Sequence, residues 1–156
     1  MSDGSKTVRD LIKSRIAPCG LHCGKCFAFT EGDISRLSKE LKYSFGNFDE
    51  YAKRFVNILD EPLFLKFPDF KEMLVFFSTG TCKGCRKEKC VVLKTCKVRE
   101  CSERKKVDFC FECSDFPCAD TGFDEHLQNR WKTINIMMKK EGVESYYNKI
   151  KDKPRY

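Results

Sequence analysis

Residues 81–118, TCKGCRKEKCVVLKTCKVRECSERKKVDFCFECSDFPC, hold eight of the eleven cysteines in about a quarter of the 156-residue chain. The other three lie far upstream in PCGLHCGKC, residues 18–26. Cysteines at this density act as disulfides, as buried apolar fillers or as metal ligands, and each role predicts a different setting. Disulfides need an oxidising compartment, whereas residues 1–16 carry Asp3, Lys6, Arg9, Asp10, Lys13 and Arg15 and no apolar core of the kind a signal peptide has. The expected setting is therefore cytoplasmic. Fillers would follow helical or strand periodicity, but Cys82 and Cys85, like Cys110 and Cys113, stand two residues apart among Gly, Lys and Arg. That spacing lets both thiolates of a tight turn point at one tetrahedral ion about 2.3 Å away. With Cys90, Cys96, Cys101 and Cys118 around the two pairs, the segment reads as metal-binding, with zinc the expected ion.

Charge adds a separate argument. Between residues 82 and 118 there are ten Lys or Arg and six Asp or Glu, an excess of four positive charges. A four-thiolate zinc site carries a formal charge of about −2, so two of them would cancel that excess. Nearby cations also favour the thiolate over the thiol. The net charge of +7 thus points less to nucleic acid than it first suggests.

The length is that of one domain, residues 1–156. The 41% apolar content includes the eleven cysteines, so the ordinary core is thin. Structural zinc, which contributes on the order of 10 kcal/mol of binding free energy to folding, would offset this. No apolar run is long enough to cross a bilayer, and no internal repeat is visible.

Along the chain, residues 1–6 read as frayed and Thr7 as the cap of a short helix with Val8, Leu11, Ile12 and Ile16 on one face. Pro18 ends it, and residues 17–26 form the three-cysteine motif, where Gly20 and Gly24 let the thiols of Cys19, Cys23 and Cys26 converge. Three thiolates are one short of a tetrahedral set, so His22 or a cysteine from the later cluster is a candidate fourth ligand. His126 sits in a polar stretch and reads as a surface residue. Residues 33–79 read as three Phe-rich helices. The first is capped by Asp33 with Ile34, Leu37 and Leu41 inward; the second carries Phe48, Tyr51, Ala52, Phe55, Val56 and Leu59; the third, opened by Pro68 and Asp69, carries Phe70, Met73, Leu74 and Phe77. Inside residues 81–118 little regular structure is expected beyond turns and a brief strand such as 91–93. Residues 124–151 read as two helices, the first with Leu127, Trp131, Ile134 and Met138 on one face, broken at Gly142. Trp131 reads as packing, and the basic tail with Lys149, Lys151, Lys153 and Arg155 as a solvated face. The expected fold class is an α-rich small domain with an irregular Cys-rich metal-binding segment.

Through PCGLHCGKC, TCKGC and FCFECSDFPC the sequence resembles the Cys-rich family catalogued as domain of unknown function 3795, from Ala17 to the region of Gly142. The resemblance implies an intracellular, metal-binding Cys-rich fold and brings no activity with it. Cys19, Cys23, Cys26, Cys82, Cys85, Cys110, Cys113 and Cys118 match its motif positions directly, Cys90, Cys96 and Cys101 less closely, and the Phe-rich stretch departs from the pattern.

Three function classes follow. One is a non-catalytic zinc module with two or three ions, built from the eleven cysteines and His22, in which Cys82, Cys85, Cys110 and Cys113 make the simplest ribbon-like set. Another is an iron-sulfur protein for electron transfer or redox chemistry, since cysteine-only ligation suits both metals. Cys19, Cys23 and Cys26 have the spacing of radical S-adenosylmethionine enzymes, but Lys25 stands where an aromatic is usual and the chain is too short for their barrel. The last is a nucleic-acid-binding zinc module, disfavoured by the charge argument. Cys90, beside Lys89 and outside both tight pairs, is the candidate for a reactive thiol; no general acid, base or nucleophile stands out with partners, so a non-enzymatic role leads. The sequence names no partner, although another protein is compatible with it.

Overall fold

In the computed structural model, which describes residues 7–156, the elements run α1 (Val8–Arg15), α2 (Asp33–Phe45), α3 (Phe48–Ile58), α4 (Phe67–Ser78), α5 (Val98–Lys105), α6 (Glu125–Glu141) and α7 (Val143–Ile150), with short 3-10 turns at Cys23–Lys25, Pro62–Lys66 and Cys110–Glu112. The segment expected to fray, residues 1–6, lies outside the described residues. Among the described residues there is no sheet, only two isolated bridges, Ile16 with His22 and Phe29 with Cys82. No helix among the described residues is long and apolar enough to cross a membrane.

Thr7 caps α1 through a capping box: its hydroxyl accepts from the Asp10 N–H, and the Asp10 carboxylate accepts from the Thr7 N–H. Ile12 and Ile16 are buried, but Val8 and Leu11 are more than half exposed, so the apolar face is narrower than the sequence suggested. The helix is fixed instead by charge, with Arg9 and Lys13 both on Asp108 and Arg9 also on Glu112. Arg86 completes the attachment. Its guanidinium donates to the carbonyls of Lys13 and Ile16 at 3.1 Å and of Asp108 at 2.8 Å, with its carbon 4.8 Å from the Phe109 ring centre.

Residues 30–81 form an arm of α2, α3 and α4 whose two ends meet. The Thr30 N–H donates to the Cys82 carbonyl and the Cys82 N–H to that of Ala28, both at 2.9 Å. Within the arm α2 lies on α4, and the residues between them are small: Ser35 is fully buried and Ser38 nearly so, with the Ser35 hydroxyl on the Ser78 carbonyl. This corrects the expected inward face, since Leu37 and Leu41 are exposed. Small side chains let the two backbones approach closely, which pushes the larger ones to the flank. Asp33 is the first residue of the helix, and Gly32 takes the cap position. The arm's own core is aromatic, with Phe45, Phe48, Phe55, Phe64, Phe67 and Phe70 in mutual contact at 4.8–6.1 Å between ring centres.

The main core gathers Ile12, Ile16, Val98, Phe109, Trp131, Ile134, Met138 and Tyr146. Asp124 caps α6 by accepting from the Leu127 N–H at 2.8 Å. Trp131, Ile134 and Met138 face inward as the periodicity predicts, and α7 follows from Gly142 and packs on α1. Two expectations inside the cysteine segment fail. Residues 98–105 are helical, because Val98 and Ser102 bury one face while the charged residues face water, and residues 91–93 form an irregular bend rather than a strand.

Asn135, fully buried, ties these parts together: its Nδ2 donates to the carbonyls of Cys19 and Trp131 at 2.9 Å, and its Oδ1 accepts from the Phe111 N–H at 3.0 Å. Replacing Asn135 by Ala should strand a buried donor and a buried acceptor at a cost of about 2–4 kcal/mol. Thermal unfolding followed by circular dichroism should show a fall in Tm of about 5–15 °C; an unchanged Tm would remove Asn135 from this role.

Candidate functional site

The N-terminal motif folds as two tight turns in succession. The Gly20 N–H closes on the Ala17 carbonyl at 2.8 Å, and the Cys26 N–H on that of Cys23 at 2.8 Å. Gly20 has φ +89 and lies so close to α6 that a Cβ there would meet the Ile134 side chain at 2.3 Å; only glycine fits. Cys19, Cys23 and Cys26 are thereby buried. The Phe29 to Cys82 bridge then sets Cys82 and Cys85 beside them. Backbone donors already face two sulfurs: the Gly84 N–H lies 3.4 Å from Cys82 Sγ, and the Leu93 N–H 3.2 Å from Cys90 Sγ. Such N–H groups favour the thiolate.

Seven thiols, Cys19, Cys23 and Cys26 together with Cys82, Cys85, Cys90 and Cys96, surround one cavity of about 40 Å³ with apolar walls that include Leu21, Phe29 and Val92. The neighbouring Cys85 thiol draws Cys23 down to about 7 and Cys90 down to about 5, and Cys85 itself is held far up as a thiol. Burial pushes the Cys19 thiol well above its ordinary range. Lys89, Arg99 and Arg155 stand at the same cavity. The chain's last residues close over it, with Arg155 Nη1 donating to the His22 carbonyl at 2.7 Å and the Tyr156 hydroxyl 3.8 Å from Cys26 Sγ.

The remaining four thiols line a second cavity of about 30 Å³. Cys101 comes from α5, Cys110 and Cys113 flank a 3-10 turn closed by the Cys113 N–H on the Cys110 carbonyl at 3.1 Å, and Cys118 ends the Phe-Pro-Cys run. Phe116 and Trp131 form its floor, edge to face at 5.1 Å. Trp131 is 1% exposed, and its Nε1–H is buried without an acceptor at hydrogen-bonding geometry. The group it acts on is Cys110: burial pushes that thiol up to about 11, and the indole N–H opposes the rise.

All eleven cysteines are free thiols. Among the described residues, no three or more His, Cys, Asp or Glu side chains are gathered closely enough to hold an ion as they stand; the thiols ring the cavities. Their division bears on two sequence expectations. Cys82 and Cys85 do not share a cavity with Cys110 and Cys113, so the ribbon-like set of four is not brought together. His22 lines neither cavity: its ring lies 5.8 Å from that of Tyr147, and burial, with Lys25, Arg15 and Arg155 nearby, draws its pKa down to about 4. His126 is exposed, as its polar surroundings suggested. Arg155, read from the sequence as part of a solvated tail, and Trp131, read as packing, are the site residues that periodicity and charge did not find. Neither has a local signal: Arg155 reaches its cavity from beyond α7, and Trp131 reaches its own from α6, outside the cysteine segment.

A mainly helical, cysteine-rich protein with its thiols divided seven and four between two cavities is the class that fold and site define. Over residues 15–122 the chain matches the family described as "Protein of unknown function (DUF3795)", and it belongs to that family. No curated protein and no solved structure matches it. The matched span contains every cysteine but stops short of Trp131 and Arg155.

The unequal thiol acidities have a direct readout. In reduced, metal-free protein at pH 7, Cys90, whose pKa lies below that pH, should be alkylated by iodoacetamide at least about tenfold faster than Cys19, which burial keeps protonated. Peptide mass spectrometry over a time course would measure both, and equal rates would refute the assignment.

Proposed function

We propose that the chain is a cysteine-ligated zinc protein acting as a non-catalytic binding or structural module in a reducing, cytoplasmic compartment. The observation that carries this reading is the gathering of eleven free thiols around two apolar cavities. Uncharged thiols gain little from such convergence, whereas four thiolates around a cavity of ion size are the donor set of a structural zinc site. The donor chemistry of the second cavity fits. Cys101, Cys110, Cys113 and Cys118 would hold the ion, and Trp131 Nε1–H, otherwise a buried donor without an acceptor, would donate to an anionic sulfur. Bound zinc supplies electrostatic cross-linking there, joining α5, the 3-10 turn and the Phe-Pro-Cys run.

The charges of the cysteine segment support the same reading against nucleic acid. Lys97, Arg99 and Lys105 are paired with Asp120, Glu103 and Asp115, and Arg86 is spent on three backbone carbonyls. These four of the segment's ten cations are thereby engaged within the chain and less available to phosphates. One observation favours a second reading for the larger cavity: seven thiols exceed what a single tetrahedral ion needs, and cysteine-only surroundings also suit an iron-sulfur cluster.

Elemental analysis of anaerobically purified protein tests both. Colourless material with two or three zinc ions per chain supports the zinc reading, and brown material with charge-transfer absorption replaces it with iron-sulfur. Metal-free protein that is fully folded overturns both. Trp131 is the single tryptophan, so stripping zinc with a chelator should also change tryptophan emission and lower the Tm by more than 10 °C.

A further inference from the structure

We propose that residues 151–156 are a hinged strap that gates the seven-cysteine cavity, opening the way to Cys26 by lifting off while the fold beneath stays closed. The inference concerns access to the thiols and stands apart from the metal reading above.

The chain is turned so as to lie across the N-terminal motif. α7 ends on Ile150, and the N–H groups of Lys151 and Lys153 donate to the Tyr147 and Ile150 carbonyls at 2.9 and 3.0 Å. Pro154 fixes its own φ and biases Lys153 toward extended backbone, so the helix cannot continue. Four polar contacts then hold the strap down. Arg155 Nη1 donates to the His22 carbonyl at 2.7 Å, and the Arg155 carbonyl accepts from the Arg130 guanidinium of α6 at 3.1 Å. The Tyr156 hydroxyl accepts from the Phe27 N–H at 3.4 Å and lies 3.8 Å from Cys26 Sγ. Cys26, the thiol nearest the strap, is 8% exposed.

Burial contributes little to this attachment. Residues 151–154 and Tyr156 are exposed and Arg155 is half-buried, and none of them belongs to a hydrophobic cluster of the described residues. Tyr147 and Ile150, just before the strap, do pack on the main core. A segment held by a few surface hydrogen bonds next to one anchored in the core opens locally, without unfolding what lies beneath it. The hinge therefore falls at 151–153. Because Arg155 lines the larger cavity, lifting the strap removes part of that wall. The four-cysteine cavity is lined by no residue beyond Trp131 and takes nothing from the strap. Movement of the strap thus changes access to one set of thiols and leaves the other as it is.

The test compares the full chain, purified anaerobically and used as isolated, with the double variant Arg155→Ala/Tyr156→Ala. Both are alkylated with iodoacetamide at pH 7, and peptide mass spectrometry follows Cys26 and Cys101 over a time course. The expected result is alkylation of Cys26 at least about tenfold faster in the variant, with Cys101 changed by less than about twofold. Loss of the Arg155 cation disfavours nearby thiolates, so a faster rate reports access and not acidity. Equal Cys26 rates in the two chains overturn the gate. Should Cys101 accelerate as much as Cys26, the double variant has loosened the whole fold, and Tyr156→Phe, which removes one hydroxyl from an exposed side chain, decides. In that variant, faster Cys26 with unchanged Cys101 upholds the gate, and any other pattern overturns it.

Discussion

One buried amide organises this molecule. Asn135 has no access to water and satisfies its donors and acceptor on Cys19, Trp131 and Phe111, so a single side chain on α6 sets the height of the N-terminal thiol loop and of the turn between Cys110 and Cys113. The two cavities adjoin at Val98, which lines both. An unpaired amide in so apolar a place would be costly, and the cost makes the geometry specific. Arg86 plays the matching part on the opposite side, holding three carbonyls and covering Phe109. Both residues spend their polar groups on backbone, which leaves the sulfurs unencumbered.

The cavities differ in kind. Around the smaller one the number of thiols equals the valence of a tetrahedral ion, and the wall combines the aromatic Phe116 and Trp131 with one cation, Lys105, and one anion, Asp120. The larger one has more sulfur than a single ion can use, basic residues in its wall, and a lid made from the chain's last residues. An apolar wall strengthens any charge interaction inside, so thiolates formed there need either cations bound among them or cations nearby. Lys89, Arg99 and Arg155 supply the second of these in the wall itself.

Much of this was legible in the sequence, and the failures share a cause. The helix ends at Thr7 and Asp124 and the breaks at Gly142 and Pro18 follow from local chemistry, which is why the helical architecture, and α6 and α7 in particular, could be read directly. The thiol pairs were equally plain because two-residue spacing is a local constraint. Their sharing out was not, since spacing says nothing of which turns meet, and the meeting of Cys82 with Cys26 depends on a bridge to Phe29 across more than fifty residues. Leu37 and Leu41 misled because a helical stripe of large apolar residues normally marks the buried side, whereas here Ser35 and Ser38 let α2 approach α4. The helix α5 was hidden by its charge, with only Val98 and Ser102 inward.

The arm of residues 30–81 leaves the thiol framework and returns to it through adjoining backbone, with Thr30 and Cys82 bonded at its base and its aromatic residues packed largely among themselves. A detour closed at its root in this way transmits little to what lies beneath it, because the distance between its ends is set by the root and not by the helices. Selection can therefore lengthen, shorten or re-clothe that detour while the sulfur scaffold keeps its dimensions.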